Sequence, residues 1–102
     1  MRQPVDTLPI SDELMDFIKS LASESRMQIL LLFTSNRELT VNEISESVKL
    51  GQSTTSEHLA ILKRAGILTA RKENRQVFYS PNRDKILAVL DILSNTLRNC
   101  CD

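Results

Sequence analysis

The chain has no tryptophan, one tyrosine and three phenylalanines in 102 residues, so bulky aromatic packing contributes little to its core. A chain this short buries only about 60 to 70% of the surface it exposes when unfolded, and self-association would add what the core lacks. Two glycines, three prolines and no low-complexity run exclude fibrous and disordered classes. They also leave no glycine-rich loop for a nucleotide phosphate. One histidine, His58, and no Ser, His, Asp arrangement at a recognisable elbow provide no convergent catalytic set, so an enzyme is not expected. No run approaches the roughly 20 apolar residues that span a bilayer, and the opening MRQPVDTLPI lacks the apolar centre of a signal peptide. A cytoplasmic protein is expected. The two cysteines, Cys100 and Cys101, are adjacent, which is no framework for folding disulfides.

Net charge is also lacking: thirteen Lys plus Arg balance thirteen Asp plus Glu. The sum hides unlike halves. Residues 1–50 carry five basic and eight acidic groups, and residues 51–102 carry eight basic and five acidic. Lys63, Arg64, Arg71, Lys72 and Arg75 fall within thirteen residues that hold one acid, Glu73. Such a cluster is either a solvated surface or a nucleic-acid contact, and its context decides.

The length is that of one domain, 1–102, with residues 1–10 as a flexible arm. Ser11, Asp12 and Glu13 start a helix in which Leu14, Phe17, Ile18 and Leu21 recur at helical spacing. A second helix, from about Ser23 to Thr34, is apolar around most of its circumference and is expected to be central and buried. Thr40 caps a short third helix with Val41, Ile44 and Val48 on its apolar face, ended by Leu50 and Gly51. Ser53 caps a fourth, whose stripe is Thr55, Leu59 and Leu62, closing at Gly66. Residues 40–66 therefore read as a helix-turn-helix. Two β-forming runs, Ile67 to Lys72 and Gln76 to Ser80, meet across residues 73–75, where Asn74 tolerates positive φ, giving a hairpin over 67–80. A last helix covers 83–99.

The expected fold is mainly α with a small β-hairpin, in the order α-α-α-α-β-β-α, which is a winged helix-turn-helix. The last helix is apolar over too wide an arc for one contact face, and its cheapest second partner is its own copy. A homodimer through the first and last helices is expected, with Leu14, Phe17, Leu90, Leu93 and Leu97 at the interface.

In a helix-turn-helix the N-terminal residues of the second helix enter the major groove. Here Gln52, Ser53, Thr54, Ser56 and Glu57 lie at or off the buried stripe, with polar groups to offer base edges. Glu57 adds a negative charge facing phosphates, which suits a cytosine N4 amine as its target. Lys63, Arg64, Arg71, Lys72 and Arg75 are read as phosphate contacts, with Arg75 near the hairpin tip able to reach the minor groove. His58 has no second His or Cys within helical reach, so it is counted with the DNA-binding residues as a hydrogen-bonding side chain of that helix rather than as a metal ligand.

Residues 21–33, LASESRMQILLLF, are similar to the "LadptRlqIL" segment of the ArsR/SmtB family of metalloregulators. Residues 40–80, TVNEISESVKLGQSTTSEHLAILKRAGILTARKENRQVFYS, resemble that family's reading head and wing. The resemblance implies a dimeric repressor that sits on a palindromic double-stranded operator and leaves when an inducer binds. It matches Gln52, Ser53 and Ser56 to base- and phosphate-contacting positions, and places His58 where the family often carries histidines.

The resemblance also frames the sensor. The Cys-x-Cys of arsenic and cadmium sensors is absent from Leu39, Thr40, Val41, Asn42 and Glu43, and the last helix offers Asp84 and Asp91 without the histidines of zinc sensors. Residues 99–102, AsnCysCysAsp, resemble the tail cysteine pair of some arsenite-responsive members. Two thiolates suit a soft ion. No cofactor is required, and As(III), Sb(III) or another thiophilic ion at Cys100 and Cys101 is the expected inducer. The competing accounts are redox or reactive-sulfur sensing by the same pair, a regulator that senses no metal, and a protein-only interaction module.

Overall fold

The computed structural model describes residues 11–100, in the order α1 (Asp12–Leu21), α2 (Glu24–Leu32), β1 (Leu39–Thr40), α3 (Val41–Val48), α4 (Gln52–Arg64), β2 (Leu68–Glu73), β3 (Gln76–Pro81) and α5 (Arg83–Cys100). The first two helices start where side-chain oxygens satisfy orphan amides. Ser11 Oγ accepts from the Leu14 amide at 3.1 Å and Ser23 Oγ from the Arg26 amide at 3.3 Å. Thr40 caps α3 through a reciprocal box: its Oγ1 accepts from the Glu43 amide, and its own amide donates to the Glu43 carboxylate at 2.8 Å. α3 stops at Lys49, which takes the left-handed conformation at φ 60°. That is one residue before the Leu50–Gly51 pair expected to end it.

Gly51, and not Ser53, is the N-cap of α4, and no side-chain hydrogen bond caps that helix. Ser53 therefore sits inside the first turn with its hydroxyl released from the capping duty expected of it. Gly66 follows the C-cap Ala65 at φ +81°, the left-handed position expected there.

The hairpin turn has positive φ at both central residues, Asn74 (51°) and Arg75 (70°), the pattern that matches the right-handed twist of paired strands. A third strand was not expected. β1 pairs Leu39 with Tyr79 and Thr40 with Phe78, giving an antiparallel sheet in the order β1-β3-β2.

One core joins all five helices and the sheet through Phe17, Ile29, Leu39, Ile44, Leu59, Leu62, Ile67, Leu68 and Val89. Two expectations about burial change. α2 places only Ile29 fully inside and leaves Leu31 56% exposed, so it is not the enclosed central helix that its composition suggested. Phe17 is 3% exposed and belongs to the chain's own core, which removes it from any interface. Ile18, the next residue on α1, is the one that faces solvent.

Candidate nucleic-acid interface

α4 is amphipathic in the manner a reading helix needs. Thr55, Leu59 and Leu62 are fully buried, and Gln52, Ser53, Thr54, Ser56, Glu57, Lys63 and Arg64 are exposed. Ala60 is exposed among them, seven residues after Ser53 and so on the same face. Alanine carries no chemistry of its own, so only its seven-residue spacing from Ser53 marks Ala60 in the sequence. α3 packs against α4, and Asn42 Oδ1 accepts from Gln52 Nε2, tethering one amide proton of Gln52.

His58 does not join the exposed set. It is half-buried, and its Nδ1 lies 3.2 Å from Arg26 Nη1, so its ring is turned toward α2 and away from the surface expected to read bases. Arg26 in turn donates from Nε to the Ser20 carbonyl at 2.6 Å, tying α4, α2 and the end of α1 together.

The wing divides its cations. Strand alternation and the pairing of Arg71 with Phe78 and Thr69 with Ser80 put Arg71 on the face opposite buried Leu68. There Arg71 forms a fork with Glu38, Nε to Oε2 at 2.6 Å and Nη2 to Oε1 at 2.8 Å. Its third nitrogen, Nη1, donates to Glu73 at 2.7 Å, and the guanidinium carbon lies 4.6 Å from the centroid of the Phe78 ring. The hydrogen bonds from Arg71 hold the Glu38 carboxyl below its ordinary pKa, and those carboxylates push the Arg71 guanidinium further up. Arg71 is thus paired within the protein, and to meet a phosphate, as the sequence suggests, it would have to exchange these carboxylates for it. Among the described residues Lys63, Arg64, Lys72 and Arg75 form no ion pair, and all are exposed.

α5 buries Val89 and leaves Leu87, Leu90, Ile92 and Leu97 exposed, with Leu97 at 57%, while Leu93 is half-buried. Leu14 on α1 is half-buried against the core. Lys85 Nζ reaches Glu13 Oε2 at 2.7 Å and fastens α5 to α1. α5 ends at Cys100, whose side chain lies outside the described residues, as do Cys101, Asp102 and the arm 1–10. Among the described residues no three of His, Cys, Asp and Glu gather as a ligand set, and no helix is long and apolar enough to cross a membrane.

Residues 23–70 match the family described as bacterial regulatory protein, arsR family. The transcriptional activator HlyU of Vibrio cholerae is 41% identical over 76 residues, spanning 74% of this chain and 69% of HlyU. The chain belongs to the arsR family. It is accordingly a DNA-binding transcriptional regulator of winged helix-turn-helix fold and not an enzyme. The solved structure of HlyU from V. cholerae superposes with a TM-score of 0.67 at 37% identity, covering 88% of this chain and 94% of HlyU. The cadmium resistance regulatory protein CadC of Listeria innocua is 32% identical over 76 residues, 74% of this chain and 64% of CadC. In this arsR-family regulator, the polar start of α4 and the unpaired cations beside it are exposed together.

Proposed function

We propose that this regulator is a cytoplasmic repressor that binds a palindromic operator as a homodimer, reads it with the first turns of α4, and leaves it when an inducer engages Cys100 and Cys101. The observation that carries the DNA half of this reading is α4 itself: three buried residues fix it to the core while its polar side chains stay in solvent. Gln52, Ser53, Thr54, Ser56 and Glu57 supply donors and acceptors to base edges, and Lys63, Arg64, Lys72 and Arg75 meet phosphates. Tethering one proton of its amide to Asn42 leaves Gln52 Oε1 and the other N–H for a bidentate contact, the geometry that suits adenine.

The exposed leucines of α5, with Ile18 of α1, are the apolar surface a second copy would cover. A two-fold axis there sets two copies of α4 on half-sites one helical turn apart, about 34 to 36 Å. Repression follows wherever that footprint overlaps a promoter. HlyU carries the name of an activator, so a reporter with the operator moved upstream of the promoter separates the two signs of control.

Adjacent residues of a regular helix point about 100° apart, so neighbouring thiolates meet on one atom only where the backbone departs from helix. A pyramidal As(III) or Sb(III) needs a third sulfur, supplied by the partner subunit or by a small thiol. The test titrates arsenite, antimonite, Cd²⁺, Zn²⁺ and peroxide into the protein–operator complex, with a double Cys100→Ser, Cys101→Ser variant as control. Release by the thiophilic ions and not by peroxide, lost in the double variant, is the expected result. Release by peroxide alone assigns the pair to redox sensing, and equal behaviour of the variant removes the cysteines from the mechanism. Failure to bind random duplex DNA in a salt-dependent way would overturn the DNA reading itself.

A further inference from the structure

A cleft of about 270 Å³ opens between α1, α2 and the last turn of α4, lined by Asp16, Lys19, Ser20, Arg26, Ile61 and Arg64. Three cations from three helices meet there with one carboxylate. Arg71 pairs with Glu38 and Glu73 and Lys85 with Glu13 at 2.6–2.7 Å, and among the described residues Lys63, Lys72 and Arg75 stand unpaired on open surface; the cleft differs in gathering three cations from three helices around one hollow. Among the described residues no carboxylate comes within ion-pairing distance of Lys19, Arg26 or Arg64, Asp16 included. Bringing like charges together without a counter-charge is unfavourable, and an anion in the cleft reverses that cost.

Arg26 is the anchor. Its Nε and Nη1 are held by the Ser20 carbonyl and the His58 ring, so the guanidinium is positioned before any ligand arrives, and Arg26 lines the cleft. A guanidinium already held in place loses little entropy on donating a charge-assisted hydrogen bond to an oxyanion. Lys19 supplies a mobile point charge from α1 and Arg64 a second guanidinium from α4, while Ile61 provides an apolar wall.

The geometry points to a binding site for a small free oxyanion of the phosphate class, distinct from the cysteine pair. The excess of two positive charges over Asp16 favours a dianion, and the Asp16 carboxylate is placed to accept from a protonated oxygen of the ligand. Such a ligand joins α1 and α2, which carry the body, to α4, which carries the reading face. It also claims Arg64, which the proposed function gives to an operator phosphate. The binding stands independently of that function; only its effect on the operator rests on it.

The full chain is titrated calorimetrically with inorganic phosphate in chloride buffer at constant ionic strength. One saturable site per chain is expected, weakened at least about tenfold in a Lys19→Gln, Arg64→Gln double variant, the loss that removing two charge-assisted hydrogen bonds implies. An Arg37→Gln, Arg83→Gln control removes the same charge away from the cleft and is expected to bind phosphate like the parent. No saturable heat in the millimolar range, or equal weakening by both double variants, overturns the site. Protection of the cleft by operator DNA in hydrogen exchange, without binding of free phosphate, would give these cations to the DNA backbone instead and overturn the free-ligand assignment. With the site present, phosphate lowers operator affinity at fixed ionic strength, and Lys19→Gln blunts that effect.

Discussion

Removing the two carboxylates that hold Arg71 should make the regulator bind DNA more tightly and with a steeper dependence on salt. In the parent protein Arg71 satisfies both oxygens of Glu38 and one of Glu73, so its charge is spent inside the wing. Glu38→Gln with Glu73→Gln leaves the guanidinium charged, stacked beside Phe78 and without an ion pair. A cation released to meet one phosphate adds about 0.9 to the slope of log affinity against log salt concentration. Between 200 and 50 mM salt that increment is worth about a threefold additional gain in affinity per half-site. Fluorescence anisotropy on operator and on random duplex across that salt range measures it, and the gain should be alike on both, since phosphates carry no sequence. Adding Arg71→Gln to the double variant should return the slope to that of the parent. An unchanged slope in the double variant would refute the reasoning, because pairing would then not be what keeps Arg71 off the DNA. So would a fall of about 0.9 on Arg71→Gln alone, which would mean that Arg71 reaches a phosphate despite Glu38.

Leu90→Asp places a charge on the exposed face of α5 and should leave the monomer folded by circular dichroism while sedimentation shows loss of the dimer and operator affinity falls. Thr55 is fully buried and its hydroxyl has no hydrogen-bond partner, so Thr55→Val should raise stability by about 1 kcal/mol in urea unfolding; destabilisation would mean that the hydroxyl is satisfied. Because Arg71 lowers the pKa of Glu38, their pairing is complete above the ordinary carboxylate range and is lost only as pH falls through the depressed value. The difference in thermal stability between parent and Glu38→Gln should therefore be flat through neutral pH and vanish in acid. Lys49 and Arg75 both hold positive φ, so glycine at either should stabilise by up to about 1 kcal/mol, while only Arg75→Gly should weaken DNA binding.

The order of helices and hairpin was legible because each element carries a local signal: apolar spacing in α1, α4 and α5, capping side chains at Ser11, Ser23 and Thr40, and a turn residue at Asn74. β1 was not, since two residues have no alternation to read. Ser53 satisfied every local rule for an N-cap and lost the position to Gly51, which opens α4 two residues earlier without a side-chain bond. The burial of α2 was overread because composition shows how apolar a helix is and not how many neighbours the fold supplies. Phe17 and Ile18 are adjacent on α1, and only the tertiary arrangement decides which turns inward. The partners that the sequence could not show at the site have one physical origin. Arg71 meets a carboxylate 33 residues away and His58 an arginine 32 residues away, so no window along the chain contains either pair.

Those long-range pairs change what a net charge of zero means for DNA binding. Five cations crowd residues 63–75, but a cation contributes counterion release only if DNA can have it. Arg71 is consumed by carboxylates, which leaves Lys63, Arg64, Lys72 and Arg75, four per chain and eight per proposed dimer. If those eight alone meet phosphates, at about 0.9 per contact the salt slope is about 7 in magnitude, and it falls to about 5 if both Arg64 side chains turn to an oxyanion in the cleft. A protein with no net charge thus holds DNA through a few uncommitted cations, and each one withdrawn costs a measurable share of that hold. Release then requires only a ligand that competes for one or two of them or tilts α4 by a small coupling free energy, and not one that reverses the charge of the molecule.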